Sequence, residues 1–144
     1  MIDLMFIYNP PTEPLLNIIH QDDDIIVLDK QAGLLSVPGK HEDHKDCLEA
    51  RVQARFEGAS TIHRLDMDTS GLLIMARHKE AHRFIGYQFE HRLTSKTYIA
   101  RVLGCVSDDQ GSIDLPLICD WPNRPKQKVD HELGRSAVTY YKVL

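Results

Sequence analysis

Long apolar runs are missing from this sequence. No stretch of its 144 residues holds the roughly 18 consecutive apolar side chains that a membrane-spanning helix needs. The N-terminus carries Asp3 and the pair Pro10-Pro11 without a basic flank, which argues against a secretory signal. We therefore expect a soluble globular protein that has no membrane partner.

Cysteine is also scarce. The three cysteines, Cys47, Cys105 and Cys119, lie far apart, and none belongs to a Cys-x-x-Cys pair. This spacing argues against a disulfide framework and against a structural zinc site, and it is typical of proteins in the reducing cytoplasm. We expect a cytoplasmic protein, and a chain of this length is expected to form one domain.

An overall positive charge, which phosphate binding usually requires, is absent. The formal net charge of −4 argues mildly against a nucleic-acid partner. The charge is unevenly spread, however, because residues 63–101 hold seven Lys or Arg against four acidic residues. Residues 121–128 hold Arg124, Lys126 and Lys128 and no acid. Two interpretations stay open: a basic face on an acidic body, or a scattered solvated surface.

Apolar patterns predict several strands. The β-branched run at 25–28 and the apolar run at 72–76 are typical of buried strands. Weaker signals predict further strands at 17–20, 95–103, 112–117 and 136–144.

Two helices are predicted from apolar residues at helical spacing. One spans 46–57, ends at Gly58 and places Arg51 and Arg55 on its solvated side. The other spans 79–91. Because strands and helices do not alternate strictly, we expect an α+β fold with a mixed, mainly antiparallel sheet and helices packed on it.

The stretch at 63–71 carries the densest set of reactive side chains. Its last three residues favour a turn, and the predicted strand at 72–76 follows. The pattern therefore places Arg64 and Asp66 on a loop at the edge of a sheet, where catalytic groups are often held. From residue types alone, Asp66 could be a nucleophile, an acid or base, a metal ligand or a cap, or could pair structurally with Arg64.

Three smaller features leave alternatives open. Lys30 has either a structural or a phosphate-facing role. His41 and His44 invite a metal site, but no third ligand follows at a suitable spacing, so we expect a solvated loop. The 120–128 segment combines prolines, Trp121 and three cations, which suits contact with phosphates and bases; the alternative is a hairpin tip with Trp121 tucked into the core.

The sequence His63-Arg64-Leu65-Asp66, followed two residues later by Thr69-Ser70-Gly71, resembles the signature of the RluA-type family of RNA pseudouridine synthases. In that family the Asp of the Arg-Leu-Asp triplet is catalytic, and it corresponds to Asp66. The segment around Tyr98 resembles the family segment whose Tyr lies beside the active Asp. The segment from Lys30 to Gly33 resembles a Lys-Pro-x-Gly segment, with Gln31 in place of the Pro.

The resemblance implies an isomerase that converts specific uridines to pseudouridine in structured RNA, in rRNA or tRNA stem-loops or in both. It implies the α+β fold of the family's catalytic domain, with no metal and no cofactor. We expect Asp66 to be the catalytic residue. The predicted RNA contacts are Arg64, Tyr98, Arg124, Lys126 and Lys128. The predicted supporting residues are His63, Thr69, Ser70 and Gly71.

The resemblance covers nearly the whole chain but only the first part of a family catalytic domain. We therefore expect residues 1–144 to form a single partial catalytic domain, with 1–14 as an extended leader and with no S4-type RNA-binding domain. The family motif whose Arg pairs with the catalytic Asp is missing, so this stretch alone is expected to show no isomerisation. An open edge at 136–144 invites pairing between chains, while the oligomeric state stays open.

Two rival functions are kept. One is a metal-dependent phosphoesterase or nuclease that uses His63, Asp66 and Asp68, because Asp-x-Asp can bind Mg²⁺ through its oxygens. A loss of activity with a chelator would favour it. The other rival is a catalytically inactive fragment that only binds RNA.

Overall fold

The structure of the chain, a computed structural model, describes residues 7–124 and 126–144. Contacts divide the chain into two compact units, one up to Lys96 and one from Thr97 onwards. The single partial domain expected over 1–144 stays a prediction. Residues 1–6 of the predicted leader and Pro125 of the 120–128 segment lie outside the described residues. No helix within the described ranges is both long and apolar enough to cross a membrane.

The described part of the first unit is built on a sheet of four strands. They are β1 (Ile18–Gln21), β2 (Ile25–Lys30), β3 (Ser60–Thr61) and β4 (Gly71–Ala76). Their order is β1-β2-β4-β3 and every pairing is antiparallel. The strands predicted at 17–20, 25–28 and 72–76 are therefore confirmed, with ends shifted by one or two residues.

Two helices flank this sheet, both near their predicted positions. Helix α1 (Leu48–Gln53) is shorter than the predicted 46–57 at both ends. It starts at Leu48 because Cys47 caps its first turn, with the Ala50 amide donating to Sγ at 3.4 Å. Helix α2 (Lys79–Glu90) matches the prediction closely. The antiparallel sheet with its packed helices confirms the predicted α+β class.

The apolar core of the first unit lies between the sheet and α1. It consists of Ile26, Leu28, Leu34, Leu48, Val52, Ala59, Leu65, Leu73 and Met75. Full burial of one aliphatic side chain contributes about 1.5–3 kcal/mol to stability. Leu65 belongs to this core although it lies on a loop, so its burial ties that loop to the sheet.

The prediction that the side chain of Arg51 is solvated was wrong. Its side chain is 4% exposed, and its guanidinium donates two bonds of 2.7 Å to the Asp46 carboxylate. It also donates to the carbonyl oxygens of Pro11 and Leu15 at 2.8 and 3.3 Å. A guanidinium is buried only where such acceptors satisfy its donors, and those acceptors come from distant parts of the chain. Arg55 is exposed, as predicted.

The described part of the predicted leader lies on the body. The Tyr8 hydroxyl donates to the Asp46 carbonyl oxygen at 2.8 Å and accepts from the Leu35 amide at 3.0 Å. Gln31 donates through Nε2 to the Glu13 carbonyl oxygen at 2.8 Å. These bonds connect the N-terminal segment to the loop that follows β2.

The residues described in the second unit form two small antiparallel pairs of strands. They are formed by β5 (Gln110–Asp114), β6 (Leu117–Cys119), β7 (Gln127–Val129) and β8 (Val138–Lys142), with β5 paired to β8 and β6 to β7. The strand predicted at 136–144 is confirmed as β8. The prediction at 112–117 merged two elements, because the chain leaves β5 before Pro116 and starts β6 after it.

The prediction of a strand at 95–103 was wrong. Its apolar and polar residues alternate, but no strand in the described ranges pairs with it. An extended segment becomes a strand only when a neighbour accepts and donates the ladder hydrogen bonds. Tyr98 and Ile99 within it are 61% and 86% exposed.

Candidate active site

The loop between β3 and β4 carries the predicted catalytic residue. Both flanking strands pair within the same sheet, so the loop starts and ends on a common scaffold. Along it, Leu65 is 8% exposed and packs into the core, whereas Arg64 and Asp66 on either side are exposed. The Thr69 amide donates to the Asp66 carbonyl oxygen at 3.1 Å and closes a tight turn. This alternation directs the two charged side chains away from the core.

Hydrogen bonds hold the backbone on both sides of Asp66. The Ser36 hydroxyl donates to the Leu65 carbonyl oxygen at 2.6 Å and accepts from the Leu65 amide at 3.2 Å. The Met67 carbonyl oxygen accepts from the Gly33 amide at 2.9 Å and from Lys30 Nζ at 3.0 Å. The loop after β2 therefore forms a platform, residues 30–36, beneath the loop that carries Asp66.

Lys30 is a buried part of that platform. Its side chain is fully buried, and Nζ also donates to the carbonyl oxygens of Leu34 at 2.7 Å and Gln31 at 3.0 Å. With the bond to Met67, all three ammonium donors are used. Burial lowers the pKa of Lys30 from its usual value, and the negative charges of Asp68 and Asp66 partly oppose that shift. Of the two roles left open by the sequence, the geometry favours the structural one.

His63 connects the start of the loop to β4 and to α2. Its Nε2 accepts a hydrogen bond from the Ile74 amide at 3.0 Å, so this nitrogen carries no proton and the ring is neutral. The ring stacks on Phe89, with centroids 4.3 Å apart and planes 17° apart. Burial lowers the pKa of His63, and the charge of Lys96 lowers it further. These contacts fit the supporting role, which stays a prediction.

The Asp66 carboxylate has no direct protein partner in the described ranges: no hydrogen bond reaches it, and no ion pair joins it to Arg64. The structure therefore gives no support to the structural Arg64–Asp66 pair that the residue types left open. An exposed carboxylate on an anchored backbone is available to an external group.

The other supporting residues lie at the end of the same loop. Thr69 is half-buried and Ser70 is exposed. Gly71 starts β4 opposite Lys30 with φ of +118°, a conformation that residues with a side chain rarely adopt. Glycine is therefore needed where the loop enters the strand.

The described residues provide no set of metal donors for the metal-dependent phosphoesterase or nuclease. Within the described part of the chain, no group of three or more His, Cys, Asp or Glu side chains is arranged to hold a metal ion. His63, which that rival requires, already uses Nε2 to accept the Ile74 amide. His41 and His44, which the sequence also suggested as metal ligands, contact each other edge to face, with ring centroids 5.5 Å apart.

The remaining predicted RNA contacts lie in the second unit. Tyr98 lies on the unpaired segment described above. Arg124, Lys126 and Lys128 are exposed on the hairpin formed by β6 and β7. Trp121 lies in a short 3₁₀ turn at the hairpin tip and is 67% exposed. The segment therefore forms a hairpin tip, as the alternative interpretation predicted. The part of that interpretation that placed Trp121 in the core was wrong.

Sequence reasoning missed Ser36. It lies in the run Leu34-Leu35-Ser36-Val37, where a hydroxyl surrounded by apolar residues needs a hydrogen-bond partner. That pattern signals burial, but it does not reveal that the partner is Leu65, 29 residues away.

The fold and the site together define a class: an α+β protein that holds an exposed aspartate on an anchored loop. The RNA pseudouridylate synthase family model matches residues 24–144. The chain therefore belongs to the RNA pseudouridylate synthase family, and the resemblance seen in the sequence is confirmed.

Curated relatives agree with this assignment. The chain is 53% identical over 137 residues to the dual-specificity RNA pseudouridine synthase RluA of Escherichia coli (strain K12), covering 95% of this chain and 63% of that protein. It is 50% identical over 139 residues to RluA of Vibrio vulnificus (strain CMCP6), covering 96% of this chain and 56% of that protein. The chain thus spans between about half and two thirds of these relatives' length.

Solved structures share the fold. The human RNA pseudouridylate synthase domain containing 1 matches with a TM-score of 0.65 at 22% identity, over 92% of this chain and 51% of that one. The human RNA pseudouridylate synthase domain containing 4 matches with a TM-score of 0.63 at 22% identity, over 89% and 53%. At this identity the likeness concerns the fold alone.

Proposed function

We propose that this chain carries the catalytic aspartate of an RNA pseudouridine synthase and that Asp66 is this residue. The observation that supports the proposal is the Asp66 carboxylate itself, which is exposed, has no direct partner among the described residues, and lies on a backbone held at Leu65 and Met67. Its occurrence in a chain of this family supports isomerisation over the metal-dependent rival.

The proposed reaction rearranges one nucleotide. The bond between ribose C1′ and uracil N1 breaks, the base turns, and C1′ bonds to C5 instead. C5 releases its hydrogen to water and N1 takes up a proton, so the atoms balance without an oxidant, a metal or a cofactor. An ionised carboxylate beside the sugar and base serves as nucleophile or as base.

The uridine must leave its stack before it can reach Asp66. Unstacking costs a few kcal/mol, which stacking on an aromatic side chain and phosphate contacts can offset. We assign the stacking to Tyr98 and phosphate contacts to Arg64, Arg124, Lys126 and Lys128. We propose stem-loops of rRNA or tRNA, or both, as substrates, and the cytoplasm as the location.

The test measures tritium release from RNA that carries 5-tritiated uridine. It uses two proteins: the 144-residue chain, and a chimera in which this chain replaces the aligned segment of the E. coli relative. We expect the chimera to release tritium and its Asp66→Asn variant to release none while binding RNA with unchanged affinity. Normal turnover by Asp66→Asn would refute the assignment.

Asp68→Asn in the same chimera is the matched control, because Asp68 lies two residues away on the same loop. We expect it to retain turnover, and added chelator to change nothing. Loss of activity in both Asp variants together with inhibition by the chelator would favour the metal-dependent rival. An inactive 144-residue chain that binds RNA, beside an active chimera, would favour the RNA-binding alternative for this stretch alone.

A further inference from the structure

One buried hydroxyl satisfies both backbone groups of the residue that precedes Asp66. Ser36 is 4% exposed, and its Oγ donates to the carbonyl oxygen of Leu65 and accepts from the amide of the same residue. A serine hydroxyl has one donor and two acceptor sites, so it is a small group that can serve an amide and a carbonyl together.

Ser36 is itself held in place. Its carbonyl oxygen accepts from the Glu49 amide at 3.1 Å, and the Leu35 carbonyl oxygen accepts from the Leu48 amide at 2.8 Å. Both bonds fasten the platform to the first turn of α1. The hydroxyl of Ser36 therefore ties the backbone of Leu65 to α1 and, through this helix, to the core.

The carbonyl of Leu65 belongs to the peptide group that leads into Asp66. Because Ser36 fixes this peptide group and the bonds to Met67 fix the backbone just after Asp66, little freedom beyond side-chain rotation remains to Asp66. We propose that Ser36 is a positioning residue that aims the Asp66 carboxylate at the reacting nucleotide. This inference rests on the catalytic role proposed above for Asp66.

Removing the hydroxyl leaves two buried groups of Leu65 without partners. Buried polar groups without partners are unfavourable, so the loop is expected to shift until they find other partners. A shift of about 1 Å at a catalytic group can lower turnover about 100-fold. Binding of RNA depends on other side chains and is expected to change little.

The test compares Ser36→Ala, Ser36→Cys and Ser60→Ala. Ser60 is the matched control, because its half-buried hydroxyl also forms a short hydrogen bond, 2.8 Å to Nδ1 of His82, but that partner lies on α2 and not on the loop of Asp66. Cysteine keeps the shape of serine and bonds weakly. It also provides a second variant if Ser36→Ala fails to fold.

Two readouts separate positioning from general stability. In the chimera we expect Ser36→Ala to lower kcat about 10- to 100-fold with an unchanged Kd for RNA, Ser36→Cys to fall between, and Ser60→Ala to match the parent. In the 144-residue chain we expect hydrogen–deuterium exchange of the Leu65 amide to accelerate in Ser36→Ala and to stay unchanged in Ser60→Ala.

A kcat for Ser36→Ala equal to that of Ser60→Ala, or unchanged exchange at Leu65, would overturn the inference. Exchange that accelerates over the whole first unit would also overturn it, because that result indicates a general stability role. If Asp66→Asn retains full turnover, the proposed function fails, whereas exchange at Leu65 still decides whether Ser36 restrains the loop.

Discussion

The guanidinium of Arg124 lies over the ring of Trp121, with 4.1 Å between Cζ and the ring centroid. The ring is mostly exposed, so the pair presents an aromatic surface and a cation together at the tip of the β6–β7 hairpin. Cation–π contact orders the long Arg side chain without neutralising its charge. This geometry fits the phosphate contact proposed above for Arg124.

We predict that replacing Arg124, Lys126 and Lys128 together by Ala weakens RNA binding. The slope of log Kd against log salt concentration should fall by about 0.7–0.9 for each phosphate contact that is lost. The control replaces three exposed lysines elsewhere by Ala and so removes the same charge: Lys40, Lys45 and Lys142. Equal slopes for the two triple variants would contradict a specific RNA contact at the hairpin.

Arg51 is predicted to stabilise the first unit through Asp46 and the N-terminal segment. Arg51→Met leaves Asp46 and two carbonyl oxygens without their donor. Because the Asp46 side chain is 45% exposed, water replaces part of the lost bonding, and the expected cost is about 1–3 kcal/mol. Arg55→Met, on the exposed neighbour, should change the free energy of unfolding by less than about 0.5 kcal/mol. Urea denaturation at pH 7 measures both values, and similar values for the two variants would contradict the prediction.

The same ion pair predicts a loss of stability in acid. The hydrogen bond from Arg51 holds the pKa of Asp46 below its usual value of about 3.9. Its contribution is therefore fully present above pH of about 4 and is lost as pH falls through the lowered pKa of the folded state. Asp46→Asn should flatten the dependence of stability on pH in this acidic range.

His63 predicts a second loss of stability as pH falls, here because the folded state favours a neutral ring rather than a charged carboxylate. Its folded pKa lies below the usual value of about 6.5, so the folded state favours the neutral ring. The stabilisation is fully present above pH of about 6.5 and is lost as pH falls through the lowered folded pKa. His63→Gln keeps an acceptor for the Ile74 amide and does not titrate, so its stability should depend less on pH between about 5 and 7.

His131→Gln is the control for this prediction, because His131 is exposed in the second unit. We expect its pH dependence to follow that of the parent. If His63→Gln shows the same pH dependence as the parent, then the ring of His63 does not titrate with folding.

Two glycines should respond to alanine in opposite directions. Gly71 has φ of +118°, so Gly71→Ala strains the entry to β4 and should lower the free energy of unfolding by about 1–3 kcal/mol. Gly86 lies inside α2, and a Cβ there would only touch His82 at 4.0 Å. Gly86→Ala should therefore raise stability by about 0.5–1 kcal/mol. Thermal denaturation of both variants measures this, and changes of the same sign would contradict the prediction.

Local patterns were sufficient for most of the first unit. The continuous β-branched and apolar run at 25–28 predicts β2, and helical spacing over 79–91 predicts α2, because both signals come from residues close in sequence. The motif that ends in Gly71 likewise predicts the Asp66 loop, because its turn-forming residues are adjacent in the chain. In these segments the local sequence determined the type of element.

Other features depend on partners that lie far away in the chain. The 95–103 segment alternates like a strand, but it does not form one, because no strand within 7–124 or 126–144 completes its hydrogen-bond ladder. Arg51 is predicted as solvated until the carbonyl oxygens of Pro11 and Leu15 are brought to it. Burial of a charge depends on acceptors, and local sequence does not specify their positions in space.

The sequence by itself determined that this is an α+β protein of the RNA pseudouridylate synthase family and that Asp66 lies on a turn-rich loop before a buried strand. Only the tertiary structure decided that Ser36 and Lys30 hold this loop from beneath. The physical reason is distance along the chain: the bonds from Ser36 to Leu65 and from Lys30 to Met67 span 29 and 37 residues. Such bonds form only after the sheet and core have brought the two loops together.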